Sequence, residues 1–173
     1  HVDRDNTRFL APEFFLKMKA SGIPEGSQDL HLLYWEPSQE IIIALARTRM
    51  LKSVSVQLNA YGSTALLLET LKTIRGSGLK AGVVLEMEET LASVPPEVLS
   101  QTDNVVVTFD ETSKTGGRAH LEMLEKVKEL RKSKFRWGVA EMPYFRRKYT
   151  DCAVQGFGIG RNCPDLMEAA GTL

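Results

Sequence analysis

Short segments rich in β-branched and other apolar residues alternate along the chain with longer segments of helical periodicity. This alternation limits the fold more than any other feature, because repeated strand–helix units favour a parallel sheet covered by helices. The segment at 80–85 is apolar almost throughout, which is typical of a strand buried on both faces. We therefore predict an α/β fold. The strand-like segments lie at 2–10, 29–34, 53–58, 80–85, 103–109, 135–140 and 152–159.

Helical segments follow most of these strands and carry recognisable start and stop signals. Pro12 lies in the first turn of a helix at 12–20. Ser63 is suited to cap a helix at 63–75, and Gly78 to end it. Further helices are predicted at 39–49, 96–100, 117–133 and 164–170. The helix at 117–133 has the clearest periodicity, with a stripe formed by Leu121, Leu124, Val127, Lys128, Leu130 and Arg131.

A closed barrel and an open doubly wound sheet both fit this order of segments. The glycine-rich phosphate fingerprint of dinucleotide-binding sheets is absent after the first strands, whereas polar groups recur at the ends of many strands. The carboxyl ends of barrel strands carry the functional groups of such folds. We therefore expect a (β/α)₈ TIM-type barrel whose first β/α unit is absent from the chain as given, forming a single domain over residues 1–173.

Charge and composition narrow the function further. Lys and Arg total 22 and Asp and Glu total 22, so the formal net charge is zero. A balanced charge gives no reason to expect nucleic acid or an anionic membrane as a partner. The two cysteines are too few for a disulfide framework, which suits a cytoplasmic location. A small-molecule ligand is the partner that this composition favours.

Acidic and imidazole groups interrupt the first two strand-like segments. His1 and Asp3 lie at the start of the first, and Asp29 and His31 lie in the next. These side chains can bind a divalent cation or transfer a proton. A His-x-Asp pair in isolation is more often a structural hydrogen bond than a ligand set, so a ligand role for His1 and Asp3 depends on His31 following in the next strand.

The order of these motifs resembles that of the ribulose-phosphate 3-epimerase family. That family has a His-x-Asp-x-Met-Asp segment before a Phe and a Pro, and residues 1–6 with Phe9 and Pro12 are similar to it. Its next strand reads Asp-x-His-Leu-Met, and residues 29–33 are similar to it, with Leu33 in place of the Met. A later Gly-x-Lys-x-Gly run is matched by residues 78–82. The resemblance implies the barrel fold and an isomerase of carbohydrate metabolism that binds ribulose phosphate or a related ketose phosphate.

The resemblance also implies a site and its cofactor. It assigns His1, Asp3 and His31 to a divalent metal (Zn, Fe, Mn or Co), and Glu141 stands nearest to the expected fourth ligand. Asp3 and Glu141 would then be the catalytic proton-transfer pair. Glycines would bind the substrate phosphate. The phosphate-binding candidates are Gly116, Gly117 and Gly156.

Several positions depart from the family pattern and leave two classes of function open. The family has Asp-Gly-Gly where this chain has Glu141, Met142 and Pro143, and Gln57 replaces a usual histidine. The first class is a metal-dependent epimerase that inverts the carbon beside a carbonyl through an enediolate. The alternative is a catalytically degenerate barrel that acts as a sugar-phosphate-binding or regulatory protein. Either could form a homo-oligomer, and neither implies nucleic acid or a membrane.

Overall fold

The computed structural model describes residues 12–32, 36–58, 61–86, 89–109 and 116–141, with the backbone alone described at 108–109, 116–123 and 139–141. The strands predicted at 2–10 and 152–159 and the helix predicted at 164–170 lie outside these residues. Within them, no helix has the length and apolar character that crossing a membrane requires.

Helices and strands alternate through the described residues, as the sequence predicts. A 3₁₀ helix at Leu91–Ser93 precedes α4. The elements are α1 (Pro12–Ala20), β1 (Gln28–Leu32), α2 (Gln39–Arg47), β2 (Leu51–Gln57), α3 (Thr64–Gly76), β3 (Lys80–Leu85), α4 (Pro96–Leu99), β4 (Asn104–Phe109), α5 (Gly116–Arg131) and β5 (Arg136–Glu141).

The five strands belong to one parallel sheet in the order β1-β2-β3-β4-β5, so each strand lies beside its neighbours in sequence. This finding confirms the α/β class and the parallel sheet. His31 in β1 is the partner of Ser55 in β2, and Ser55 is the partner of Gly82 in β3. The described strands number five, so the closed eight-stranded barrel stays a prediction.

The chain divides into two compact units. The first contains the described residues up to Val84 together with Pro95–Asn104, and the second contains Leu85–Val94 and the described residues from Val105 onward. In the first unit, buried apolar side chains come from both helices and strands. They include Phe15, Ile42, Leu45, Leu71 and Ile74 on the helices and Leu30, Leu32, Val54, Val56, Ala81 and Val83 on the strands.

Serine caps begin two helices of the first unit. The Ser38 hydroxyl accepts a hydrogen bond from the Ile41 amide at 3.3 Å, and the Ser63 hydroxyl accepts one from the Leu66 amide at 3.2 Å. These bonds satisfy amides that have no acceptor within the helix. The cap predicted at Ser63 is therefore confirmed.

Helix α2 ends at Arg47, two residues before the predicted boundary. The Thr48 hydroxyl donates to the Leu45 carbonyl at 2.6 Å, and Arg49 adopts a left-handed backbone with φ of 62°. A residue with a left-handed backbone conformation ends an α-helix, and residues other than glycine rarely adopt this conformation. The apolar periodicity that extended to Met50 gives no sign of this turn.

The segment before β4 is tied to β3 within the first unit. The Asp103 amide donates to the Ala81 carbonyl at 2.8 Å, and the Asp103 carboxylate accepts from the Ala81 amide at 3.0 Å. Arg75 forms an ion pair with the same carboxylate at 3.5 Å. These contacts fix where β4 begins.

Helix α5 of the second unit buries Lys126, which lies outside the periodic stripe predicted from the sequence. The periodic stripe included Lys128, but that side chain is 56% exposed and contacts Glu125 at 3.3 Å. Lys126 is buried instead, at 8% exposure. The burial of Lys126 follows from polar contacts of its ammonium group, which spacing alone does not reveal.

Among the described glycines of the first unit, Gly82 has the closest neighbours on the side where a β-carbon would lie. A β-carbon at this position would overlap the Ser55 hydroxyl and would lie 3.1 Å from the β-carbon of Asn104. At Gly76, by contrast, an added β-carbon would meet nothing within 4 Å. Position 82 of β3 therefore accepts no side chain unless Ser55 or Asn104 shifts.

Replacing Gly82 by Ala is expected to lower the free energy of unfolding by about 1–3 kcal/mol, because the β-carbon overpacks a buried strand. Chemical denaturation measures this change. Gly76→Ala is the matched control and should be neutral or stabilising by up to about 1 kcal/mol. The effect of Gly82→Ala should shrink in a Ser55→Gly background. Equal stability of the two alanine variants would contradict the overlap.

Candidate functional site

The three paired strands of the first unit separate polar from apolar side chains. Successive strand residues point to opposite faces of a sheet. Leu30, Val54 and Val83 therefore share one face, whereas His31 and Ser55 share the other. Buried apolar side chains occupy the first face. The second face carries polar side chains, most of which are also buried, whereas Asp29 is half-buried. The polar members of the second face are Asp29, His31, Ser53, Ser55 and Gln57.

Burial keeps the His31 imidazole neutral. The residue is 2% exposed, and desolvation lowers the pKa of His31 from 6.5 to about 4. A buried imidazolium ion would lose its hydration, so the uncharged ring is the stable form at neutral pH. Neutral imidazole is the form that ligates a metal ion. Metal binding at His31 at neutral pH would therefore require no loss of a proton from this ring.

Polar groups of the first unit differ in whether they have a hydrogen-bond partner, as Ser53 and Asn104 show. The Ser53 hydroxyl donates to the Asp29 carboxylate on the neighbouring strand. The amide nitrogen of Asn104 and the hydroxyl of Ser55 are buried, and neither has a hydrogen-bond partner among the described residues. The Ser55 hydroxyl and the β-carbon of Asn104 border Gly82. Buried polar groups are normally paired, so the Ser55 hydroxyl and the Asn104 amide nitrogen are suited to bind a small polar molecule such as water.

Gln57 is the last residue of β2 and is fully buried. It occupies the position at which the resembling family usually has a histidine. An amide can donate and accept hydrogen bonds but does not titrate, so Gln57 can orient a polar group without exchanging a proton with it.

The predicted site residues fall into three groups. His1, Asp3 and Gly156 lie outside the described residues. His31 lies in β1 of the first unit, near the carboxyl end of the strand. Glu141 is the last residue of β5 in the second unit, and Gly116 and Gly117 are the first residues of α5 in the same unit.

Gly116 and Gly117 begin a helix, and this placement bears on the phosphate prediction. The amides of a first helical turn have no acceptor within the helix, and the helix dipole favours a negative charge there. A helix of 16 residues, such as α5, provides both features. Phosphate binding at this turn stays a prediction, because the same glycines also serve as a plain helix start.

Within the part of the chain that the structure describes, no group of three or more His, Cys, Asp or Glu side chains is arranged to hold a metal ion. Two of the four predicted ligands, His1 and Asp3, lie outside that part. The chemistry of His31 fits a ligand role, since its ring is neutral and buried near a strand end.

Ser55 and Asn104 are the polar residues that sequence reasoning missed. The signal for Ser55 was present, because Ser53, Ser55 and Gln57 recur at alternate positions of one strand. That alternation also predicts the strand at 53–58. A polar row on a strand whose neighbours are nearly all apolar would have indicated a buried polar face. Asn104 gave no such signal.

The lowered pKa of His31 predicts a pH-dependent stability of the metal-free protein. The unfolded chain binds a proton at His31 below about pH 6.5, whereas the folded chain binds it only below about pH 4. Stability is therefore lost as the pH falls through this window, with a slope of at most about 1.4 kcal/mol per pH unit.

Chemical denaturation in the presence of a chelator measures this slope, and His31→Gln should reduce it. The NMR signal of the His31 ring, identified by its loss in the variant, should show no titration near pH 6.5. An ordinary titration there would contradict the burial argument.

The comparison with known families agrees with the motifs. Residues 12–143 match the model of the ribulose-phosphate 3 epimerase family, which is most of the chain. No curated protein is similar enough to the chain to count as a match. The resemblance found in the sequence is thereby confirmed, and the chain belongs to the ribulose-phosphate 3-epimerase family.

Proposed function

We propose that this protein is a metal-dependent epimerase that inverts the carbon beside the carbonyl of a ketose phosphate through an enediolate. Family membership over residues 12–143 is the observation that carries the proposal, because it indicates sugar-phosphate epimerase chemistry. A buried neutral imidazole at a strand end supports it. The proposal includes a single barrel domain in the cytoplasm.

Two carboxyl groups on opposite sides of the substrate can perform the inversion. In one direction, the Asp3 carboxylate removes the proton from the carbon next to the carbonyl, which leaves an enediolate. Glu141, protonated at the start, returns a proton to the opposite face of the same carbon. Asp3 then holds the extra proton and Glu141 has lost one, so exchange with solvent restores both groups.

The remaining residues position the substrate and the proton donors. The amides of Gly116 and Gly117, together with Gly156, would bind the phosphate group. His1, Asp3, His31 and Glu141 would hold a divalent cation, which stabilises negative charge on the enediolate oxygens when it is bound. A glutamate has a longer side chain than the usual aspartate, so the reach and angle of the Glu141 carboxylate would differ from those of the family's residue.

Deuterium from the solvent should enter the substrate carbon that is inverted. Incubating the protein with a pentulose phosphate in D₂O and recording the proton NMR spectrum tests this expectation. Asp3→Asn and Glu141→Gln should each lower the rate by at least about 100-fold, because each removes one proton-transfer group. Full activity of Glu141→Gln would remove that residue from the mechanism.

Absence of exchange on pentulose and hexulose phosphates with the full-length protein would overturn the proposal. Binding of a sugar phosphate without any exchange would instead support the catalytically degenerate barrel.

The metal assignment has a test that does not depend on activity. Purified protein should contain one divalent cation per chain by elemental analysis, and His31→Gln should lower this content by at least about tenfold, since the variant loses one ligand. His120→Gln is the matched control, because His120 is a histidine of α5 outside the predicted ligand set, and it should retain the cation. Equal metal content in both variants would exclude His31 as a ligand.

A further inference from the structure

The loop that follows β3 begins with a tight turn between Glu86 and Glu89. The Glu89 amide donates to the Glu86 carbonyl at 3.0 Å, and the Glu86 amide donates to the Glu89 carboxylate at 3.2 Å. Both bonds lie within the second unit. The turn is thus closed by two reciprocal hydrogen bonds, and the 3₁₀ helix Leu91–Ser93 follows it.

Lys126 of α5 contacts this turn directly. Its ammonium group donates to the Glu86 carbonyl at 2.6 Å, although the two residues are 40 positions apart in sequence. The residue is 8% exposed. A hydrogen bond from a charged donor is stronger than one between neutral groups, and a buried ammonium requires such partners. Lys126 therefore holds the start of the loop against the helix.

The location of this contact connects it to the predicted site. Glu86 immediately follows the last residue of β3, and Glu141 is the last residue of β5. The carboxyl ends of parallel strands lie at the same edge of a sheet, where α/β enzymes bind their substrates. Helix α5, which carries Lys126, begins with Gly116 and Gly117, the predicted phosphate-binding residues.

We propose that Lys126 is a positioning residue, which fixes the loop after β3 to α5 and thereby sets the shape of the substrate-binding edge in the second unit. The part that concerns the reaction rests on the proposed function. The electrostatics of the turn agree with this role. Burial raises the pKa of the Glu89 carboxyl, and the nearby negative charge of Glu86 raises this pKa further. The Lys126 cation acts in the opposite direction and lowers the pKa of Glu89.

Hydrogen exchange of the Glu86 and Glu89 amides tests the proposal without a substrate. Lys126→Met keeps much of the apolar stem and removes the donor, so exchange of both amides should accelerate by about tenfold to a hundredfold. Lys126→Arg retains a cation and should restore much of the protection. Lys128→Met is the matched control, because Lys128 is an exposed lysine of the same helix.

Titration and kinetics separate positioning from general structural support. The Glu89 carboxyl, followed by NMR, should titrate at higher pH in Lys126→Met than in wild type or Lys128→Met, and Lys126→Arg should reverse the change. The ratio kcat/KM for a ketose phosphate should fall at least about tenfold in Lys126→Met. Unchanged exchange in Lys126→Met would overturn the loop contact.

Accelerated exchange with unchanged kcat/KM would overturn the positioning role. A wild-type protein without turnover would instead refute the proposed function and, with it, the reaction part of this inference. The exchange and titration results would still decide whether Lys126 holds the loop.

Discussion

The parallel register of β1, β2 and β3 is the constraint on which the candidate site of the first unit depends. His31 pairs with Ser55, and Ser55 pairs with Gly82, so one row of the sheet carries an imidazole, a hydroxyl and a position without a side chain. A shift of one residue would move His31 to the apolar face. The close approach of the Ser55 hydroxyl to Gly82 opposes such a shift, because no other residue of β3 leaves that space.

Local signals in the sequence predicted most of the described fold. Pro12 marked the start of α1, Ser63 marked the cap of α3, and the apolar run at 80–85 matched β3 at both ends. These features act over a few residues, so they can be recognised without knowing what packs around them. The predicted end of α2 lies two residues beyond the observed one. Arg49 has a left-handed backbone, and arginine seldom adopts this conformation, so its presence in the sequence did not indicate a helix end.

The candidate site was only partly predictable, since its polar groups are defined by what surrounds them. His31 was recognisable from a motif, and the structure adds that burial keeps it neutral. The roles of Ser55 and Lys126 were not recognisable. A serine in a strand and a lysine in a helix are usually solvated, and only contacts between distant segments bury these two. Such contacts leave no periodic signal in the sequence.

The polar face of the first unit is costly to fold, and this cost bears on its function. The Ser55 hydroxyl and the Asn104 amide nitrogen lack hydrogen-bond partners among the described residues, and each such buried group costs about 1–3 kcal/mol. A domain is stable by only about 5–15 kcal/mol, so two of them are a large fraction. Apolar side chains in this row would stabilise the fold better. Proteins retain buried polar groups at the expense of stability where they bind a polar ligand. The predicted metal ligand His31 lies on this same face, beside Ser55.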